Sequence, residues 1–595
     1  MVQRLPGPGH HGRRGLPGFG SRAEHPGDPH PQGAVAVRGG GGVRSGGGVR
    51  GDPGDLLQAH QRPAGVPQLA PAPPLRAGGL GGAQDRHPLL GAGGPRRAGG
   101  PGPGVAVAGP GKALRARPVH HPALEALRGK RVHVLGISGT EGSAVAEFLL
   151  AQGIEPVCHD LQTPEDFPET FHRTHEWMEP AEREDRVRWW LEQPVRWRAR
   201  YLEGIEDAEV VFLPQAWFRR PENARVRELL ARGLRAHSLT QLVLELAPCP
   251  VVGVTGTNGK FTVVTLIERI LNASGLRAYA SGNDRTHVPA VYFLHELGPD
   301  DRLVLELSNR QLLGIWRSPA VAVITNVSVH HLDDHGSFEA YAECKARIFQ
   351  YQGPQDVLVA NLDDPVTWSL AQKAPSRVVP FGVHARDGAW LEGDWICWRD
   401  RRVLPRSDLV APGRHAASNA LAACAAAAVA GGTVEAMAAV LREFRGLPHR
   451  LWLVDEIGGV RYYEDSLATN PAAAAAAVAA MERPFVLIAG GRRPQATREE
   501  FEPLRQALRT SPVRAVYLIG ESAPVLREAL RGLAAEVLEV RTLPQAFRRA
   551  VQLARPGEAV LLSPGCESFD QFADYRERAE LFAALVAQER RKRAG

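Results

Sequence analysis

The chain has 595 residues, more than one hydrophobic core can organise, so several domains are expected. Its 44% apolar and 23% charged content is that of a globular protein, and a formal charge of +6 without an aromatic-interleaved basic stripe argues against a nucleic-acid partner. Six scattered cysteines with no CxxC pair argue against a zinc site or a disulfide framework, and no apolar run nears the ~20 residues of a bilayer span, so a cytoplasmic chain without membrane insertion is expected.

Residues 1–123 are dominated by Gly, Pro, Arg and His, with runs such as Gly39-Gly40-Gly41-Gly42 and neither helical nor strand period. Such a segment buries too little apolar surface to offset its ordering entropy and is expected to be disordered; translation from a start placed too far upstream is the competing reading. Next, a buried strand is predicted over Arg131–Leu135, then a glycine-rich turn to Gly142, a helix from Ala144 and a second strand ending at Asp160. This is a βαβ opening, although Ser138 stands where a dinucleotide fingerprint has its second glycine. An insert rich in Trp, Arg and Glu follows, from about Thr163 to Leu202. Beyond it, strands are predicted at Glu209–Leu213, Val251–Thr255, Leu303–Leu307, Val321–Thr325 and Val357–Ala360, and an alanine-rich helix from Ala416. A last unit has predicted strands at Phe485–Ala489, Ala515–Ile519 and Ala559–Leu562. Strands alternating with helices predict an α/β protein of three domains with mainly parallel sheets, over 124–247, 248–445 and 446–595.

The sharpest signal joins a buried strand to a helix: Thr255-Gly256-Thr257-Asn258-Gly259-Lys260. Glycines let backbone N–H groups turn towards an anion, the helix N-terminus adds a favourable dipole, and Lys260 would neutralise the phosphates of a nucleotide. A P-loop has Ser or Thr directly after its lysine to ligate Mg²⁺, whereas Phe261 stands there and Thr262 is the nearest hydroxyl. ATP binding is expected, with one magnesium ligand missing.

Thr255 to Lys260 resembles the Thr-Gly-x-Asn-Gly-Lys loop of the Mur ligases. Further segments follow in that family's order: Glu306-Leu307-Ser308-Asn309-Arg310-Gln311-Leu312, Asn326-Val327-Ser328 with His331-Leu332-Asp333, the stretch around Lys345, Asn419, Leu447-Pro448-His449-Arg450, Asp465-Ser466, Ala468-Thr469-Asn470, and Ser563-Pro564-Gly565-Cys566. Leu447 to Arg450 and Ser568-Phe569-Asp570-Gln571-Phe572 are most similar to the branch that adds D-glutamate to UDP-N-acetylmuramoyl-L-alanine. The resemblance implies three units, Rossmann-like, P-loop ATPase and Rossmann-like, and a monomeric ligase that uses ATP and Mg²⁺ on a UDP-linked muramoyl substrate and an amino acid. It implies that Gly256, Thr257, Asn258, Gly259, Lys260 and Thr262 hold the ATP phosphates, and that Asn419, Arg450 and Asp465 contact adenine, phosphate and ribose. By the same resemblance Glu306 holds one Mg²⁺, and His331 and a carbamylated Lys345 serve a second, which makes Lys260, His331 and Lys345 the catalytic set. Asn283 and Ser308 would meet the muramoyl substrate, and Thr469, Ser568 and Tyr575 the incoming amino acid.

Departures fall where substrates are recognised. Leu467 replaces the lysine of the family's Asp-Ser-Lys-Ala-Thr-Asn, and Pro494 stands where a lysine follows Gly-Gly, with Arg492 and Arg493 beside it as alternative anion binders. Gly282-Asn283-Asp284-Arg285 replaces Gly-Asn-Ile-Gly, and the turn from Ser138 to Glu141 is altered. Three readings stay open on the sequence: a D-glutamate ligase with compensations, a ligase for a different amine or carboxylate, and a nucleotide-binding homologue without catalysis.

Overall fold

Short runs of Val, Leu and Ile between glycine-containing turns build three sheets. The computed structural model describes residues 119–192, 196–197, 200–282, 287–328, 332–410 and 413–594, so residues 1–118, Asn283 and His331 lie outside the described residues. The first sheet contains β1 (Val132–Leu135), β2 (Val157–His159), β3 (Arg196–Trp197), β4 (Val210–Phe212) and β5 (Arg235–His237). Its order is β3-β2-β1-β4-β5 and every pairing is parallel. The helix expected from Ala144 starts at Thr140, capped by Gly139, which confines the glycine turn to the residues right after β1. The Trp-rich insert folds as two helices, Phe167–Thr174 and Pro180–Glu192, between β2 and β3.

The central sheet contains β6 (Val251–Thr255), β7 (Ala278–Ser281), β8 (Arg302–Glu306), β9 (Val321–Ile324), β10 (Val357–Asn361), β11 (Arg377–Phe381), β12 (Ala389–Glu392), β13 (Trp395–Trp398) and β14 (Arg401–Pro405). Its order is β14-β13-β12-β11-β10-β9-β6-β8-β7. Pairings from β7 to β12 are parallel; β12, β13 and β14 form an antiparallel meander, an edge that the sequence pattern does not reveal. The third sheet contains β15 (Trp452–Ile457), β16 (Val460–Glu464), β17 (Phe485–Gly490), β18 (Val513–Ile519), β19 (Glu536–Arg541) and β20 (Ala559–Leu562), in the order β15-β16-β20-β17-β18-β19. Only its β15–β16 pair is antiparallel.

Each parallel sheet reverses its strand order once, at β1/β4, around β6 and around β20. Loops on either side of such a reversal diverge and leave a crevice at the strands' C-terminal ends, which is where open α/β sheets bind ligands. One apolar cluster runs from the first sheet into the central sheet, through Val134, Leu149, Leu242, Ile324 and Tyr341. On the other face of the central sheet, the helix Arg414–Val429 packs on the helix Lys260–Ala273. Ala422 to Ala427 are buried there, and their small side chains let the two helices approach closely. That approach brings Asn419 to the loop after β6.

Candidate active site

The loop after β6 is shaped by what glycine permits. Gly259 has φ 82° and caps the helix Lys260–Ala273 with no side-chain bond to the helix N-terminus. A Cβ at Gly259 would fall 2.3 Å from Asn419 Oδ1, and one at Gly256 would fall 1.9 Å from Thr325 Oγ1. The resulting cradle is closed to side chains, and the dipole of a 14-residue helix points into it. Segment 325–328 forms its floor. Thr257 N donates to Asn326 O at 2.8 Å, Asn258 N to Asn326 Oδ1 at 3.0 Å, Ser328 N to Thr257 Oγ1 at 3.0 Å, and Thr325 Oγ1 to Asn258 O at 2.6 Å. Thr262 is half-buried on the first turn of the helix. Phe261 packs on the central core and meets the His287 ring edge-on at 4.8 Å, so an apolar contact fills the place where a hydroxyl was sought.

Two lysines converge on this loop. Lys260 donates to Gly256 O at 3.3 Å and to Thr257 O at 3.1 Å, while Lys345, from the helix Phe338–Gln350, donates to the same Gly256 O at 2.9 Å. Lys345 is 1% exposed, and its ammonium lies 4.6 Å from the centre of the Tyr341 ring. Burial pushes the Lys345 amine down to about 7; the Lys260 charge pushes the same way, against the opposing pull of Glu306. Burial also lowers the Lys260 pKa, with Glu306 opposing and Arg450 adding to the shift. Glu306 ends β8, whose register sets it beside Val254 of β6, and its charge is felt by both lysines.

The residues before and within the third sheet bring Arg450 within electrostatic reach of Lys260. Arg450 is exposed, and its charge acts on Lys260 and on Asp465. Asp465 follows β16 and is buried, accepting from Leu451 N at 3.0 Å and from Ser563 Oγ at 2.6 Å. Burial pushes its carboxyl up to about 7. Loops after β16 and β20 meet where Gly565 N donates to Ala468 O at 2.8 Å. Thr469 precedes the helix Pro471–Ala479, Ser568 is 3% exposed, and Tyr575 begins the last helix with its ring against His449 at 5.6 Å. Ser308 is a capping residue: its oxygen accepts from Gln311 N at 3.2 Å and its hydroxyl donates to Gln215 Oε1 at 2.9 Å.

A cavity of about 640 Å³ lies between the first and central sheets, lined among others by Ser138, Thr140, Glu141, Asp160, Glu306 and Gln311. Glu141 accepts from Gln215 N at 2.6 Å and from Gln311 Nε2 at 3.5 Å, which ties the altered turn to the segment holding Ser308. Burial raises its pKa. Gln215 carries no local signature in the sequence, and Gln311, although part of the segment Glu306 to Leu312, is given no role by it. Asp334, whose buried carboxylate meets Arg219 at 2.6 Å and Arg310 at 2.8 Å, carries no local signature either.

Relatives match more than three quarters of the chain. The UDP-N-acetylmuramoylalanine–D-glutamate ligase of Symbiobacterium thermophilum is 36% identical over 468 residues, 77% of this chain and 98% of that one. This chain belongs to the Mur ligase family. Its match to the Mur ligase middle domain covers residues 254–427, and its match to the Mur ligase, glutamate ligase domain covers residues 449–566. The enzymes of the same name from Pelotomaculum thermopropionicum and Caldanaerobacter subterraneus are 38% and 33% identical, over 77% and 78% of this chain and 97% and 100% of theirs. Within this Mur ligase the departures have visible surroundings. Leu467 is half-buried and its N–H donates to His449 O at 3.1 Å. Arg493 donates to Glu500 at 2.7 Å, and Arg492 exchanges backbone bonds with Glu567 at 2.8 and 3.0 Å.

Proposed function

We propose that this Mur ligase joins D-glutamate to UDP-N-acetylmuramoyl-L-alanine at the expense of ATP, within three domains that follow the three sheets, over 124–247, 248–445 and 446–595. The observation that carries the reading is the convergence of Lys260 and Lys345 on Gly256 O at the helix N-terminus, with Glu306 in electrostatic reach of both amines. The substrate carboxylate attacks the γ-phosphorus and ADP leaves, giving an acyl phosphate. The amine of D-glutamate then attacks the carbonyl carbon, loses a proton and expels inorganic phosphate. Lys260, the loop N–H groups and Arg450 neutralise charge that grows on phosphoryl oxygens during the first step. Asn419 lies against the loop where the nucleotide base would rest.

Lys345 serves this scheme once its amine is neutral, because only a neutral amine adds to carbon dioxide to form a carbamate. The chemistry of the donor set fits a hard metal: Glu306 would hold one Mg²⁺, the carbamate of Lys345 with His331 would serve a second, and the ions would supply counter-charge for the phosphates. Thr469, Ser568 and Tyr575 would line the amino-acid pocket, while Asn283 and Ser308 would contact the muramoyl substrate. We assign the protein to the cytoplasm as a monomer; six buried, unpaired cysteines suit a reducing compartment.

Phosphate release from ATP with UDP-N-acetylmuramoyl-L-alanine, measured with and without D-glutamate, tests the reading. Release that depends on D-glutamate supports it; ATP binding without release for any amino acid sinks it. A second reading, a different amino acid at the same site, is favoured by Leu467 and by the Arg493–Glu500 pairing, and release with another amino acid alone would establish it.

A further inference from the structure

The proposed reaction makes no use of the two-helix insert between β2 and β3. Its anchoring is nonetheless elaborate. Glu147, 3% exposed on the helix Thr140–Ala151, accepts from the Arg186 guanidinium, from Trp190 Nε1 at 2.9 Å and from the Tyr292 hydroxyl at 3.0 Å. Arg186 and Trp190 belong to the insert, whereas Tyr292 lies between β7 and β8. A buried carboxylate bound by three donors fixes the insert on both the first sheet's helix and the central sheet's loops.

The turn between the insert's helices is held by side chains on each side of Glu176. His175 stacks on Phe171 at 3.6 Å and shares a 2.8 Å hydrogen bond with Ser143 Oγ; the Trp177 ring lies 5.4 Å from that of Tyr292. Glu176 is thus presented from an ordered turn. Its carboxylate pairs with the guanidinium of Arg576, on the first turn of the last helix. Arg576 also lies 5.1 Å over the ring of Tyr575, Tyr575 abuts His449, and His449 Nδ1 meets Glu464 Oε2 at 2.9 Å. A continuous line of contacts therefore leads from the insert to the residue next to Arg450.

We propose that Glu176 is a positioning residue for the incoming amino acid: through Arg576 it sets the Tyr575 ring against His449. This inference rests on the reading that Tyr575 lines the amino-acid pocket. The pair is half-exposed, so its removal shifts a binding equilibrium modestly and leaves the chemical step alone. In steady-state assays Glu176→Gln raises KM for D-glutamate about threefold to fivefold, with kcat and KM for ATP unchanged. The charge-swapped double variant Glu176→Arg/Arg576→Glu returns KM for D-glutamate to within about twofold of the parent, as a direct pair requires. An unchanged KM for D-glutamate, a parallel rise in KM for ATP, or a swap worse than either single change overturns the proposal.

The contact itself is checked without activity. A Glu176→Cys/Arg576→Cys variant should be joined by a short bis-maleimide, which spans the gap left by two long side chains that meet at their tips, a gap wider than a disulfide closes; the background is low because the six native cysteines are buried. No cross-link overturns the proposal whatever the kinetics. Cross-linking in this variant, together with no D-glutamate-dependent phosphate release by the parent protein, points instead to failure of the functional reading.

Discussion

Lys260 and Lys345 place their amines on one acceptor, the carbonyl oxygen of Gly256, at 3.3 and 2.9 Å. Two ammonium groups so close are unfavourable, and the more buried one yields its proton more readily. Burial and the neighbouring Lys260 charge bring Lys345 to about 7. Activity is therefore expected to rise with pH through about 7, as the neutral amine becomes available for carbamate formation, and bicarbonate should increase it most below that point. Lys345→Ala and Lys345→Arg should each lose more than about 100-fold in kcat, since arginine stays charged. Labelled bicarbonate should give a carbamate carbon signal in the parent and none in Lys345→Ala. A Lys345→Ala protein with unchanged activity would discredit the assignment.

Phe261 occupies the position from which a loop hydroxyl would reach Mg²⁺, and its ring packs on His287 and the central core. Phe261→Ser exchanges that packing for a ligand. We expect a thermal stability lower by about 1–2 kcal/mol, less than for a fully buried phenylalanine, together with a Mg²⁺ half-saturation reduced several-fold. Titrating Mg²⁺ in the phosphate-release assay separates the two effects. An unchanged Mg²⁺ requirement would show that another oxygen already fills the position.

What could be read from the sequence was whatever is local. The glycines and lysine of the loop after β6 are contiguous, and their strand–turn–helix setting follows from a run of apolar residues meeting a run with helical period. Lys345 and Asp465 were placed by family order alone, because nothing in their own neighbourhoods announces that they return to this loop. From the sequence the insert is a Trp- and Arg-rich interruption; the contacts that fix it, Arg186 with Glu147 and Glu176 with Arg576, join partners far apart in sequence. The meander of β12 to β14 escaped prediction for a related reason: its strands are short and its arginines and tryptophans obscure the alternation of apolar and polar residues.

Asp334 holds two arginines together. Its side chain, 0% exposed, pairs with Arg310 and with Arg219 from beyond β4. Asp334→Ala leaves two partly exposed guanidinium groups beside each other without their counter-charge, and should cost about 1–2 kcal/mol. Arg310→Phe, with Arg219 still in place, should cost about 1 kcal/mol or less. Urea unfolding monitored by tryptophan fluorescence measures both, and equal costs for the two variants would show that Asp334 does not organise the pair.

Asp465 offers a test with a defined sign. Burial raises its carboxyl from 3.8 in the unfolded reference to about 7 in the folded chain. Between those values the folded protein holds a proton that the unfolded chain has released, so the contribution of this group to stability falls as pH rises through the window. Above about 7 the buried carboxylate is charged and its full desolvation cost is felt. Asn in its place keeps the bond from Leu451 N through its carbonyl oxygen and can donate from its amide to Ser563 Oγ, while removing the charge. The difference in Tm between Asp465→Asn and the parent should therefore move in favour of the variant from pH 5 to pH 8, where calorimetry at matched ionic strength can follow it. A difference that stays constant across that range would mean that the carboxyl is already ionised at the lower pH, held so by Arg450. In that case Asp465 would meet a ribose as an acceptor at every pH at which the enzyme works.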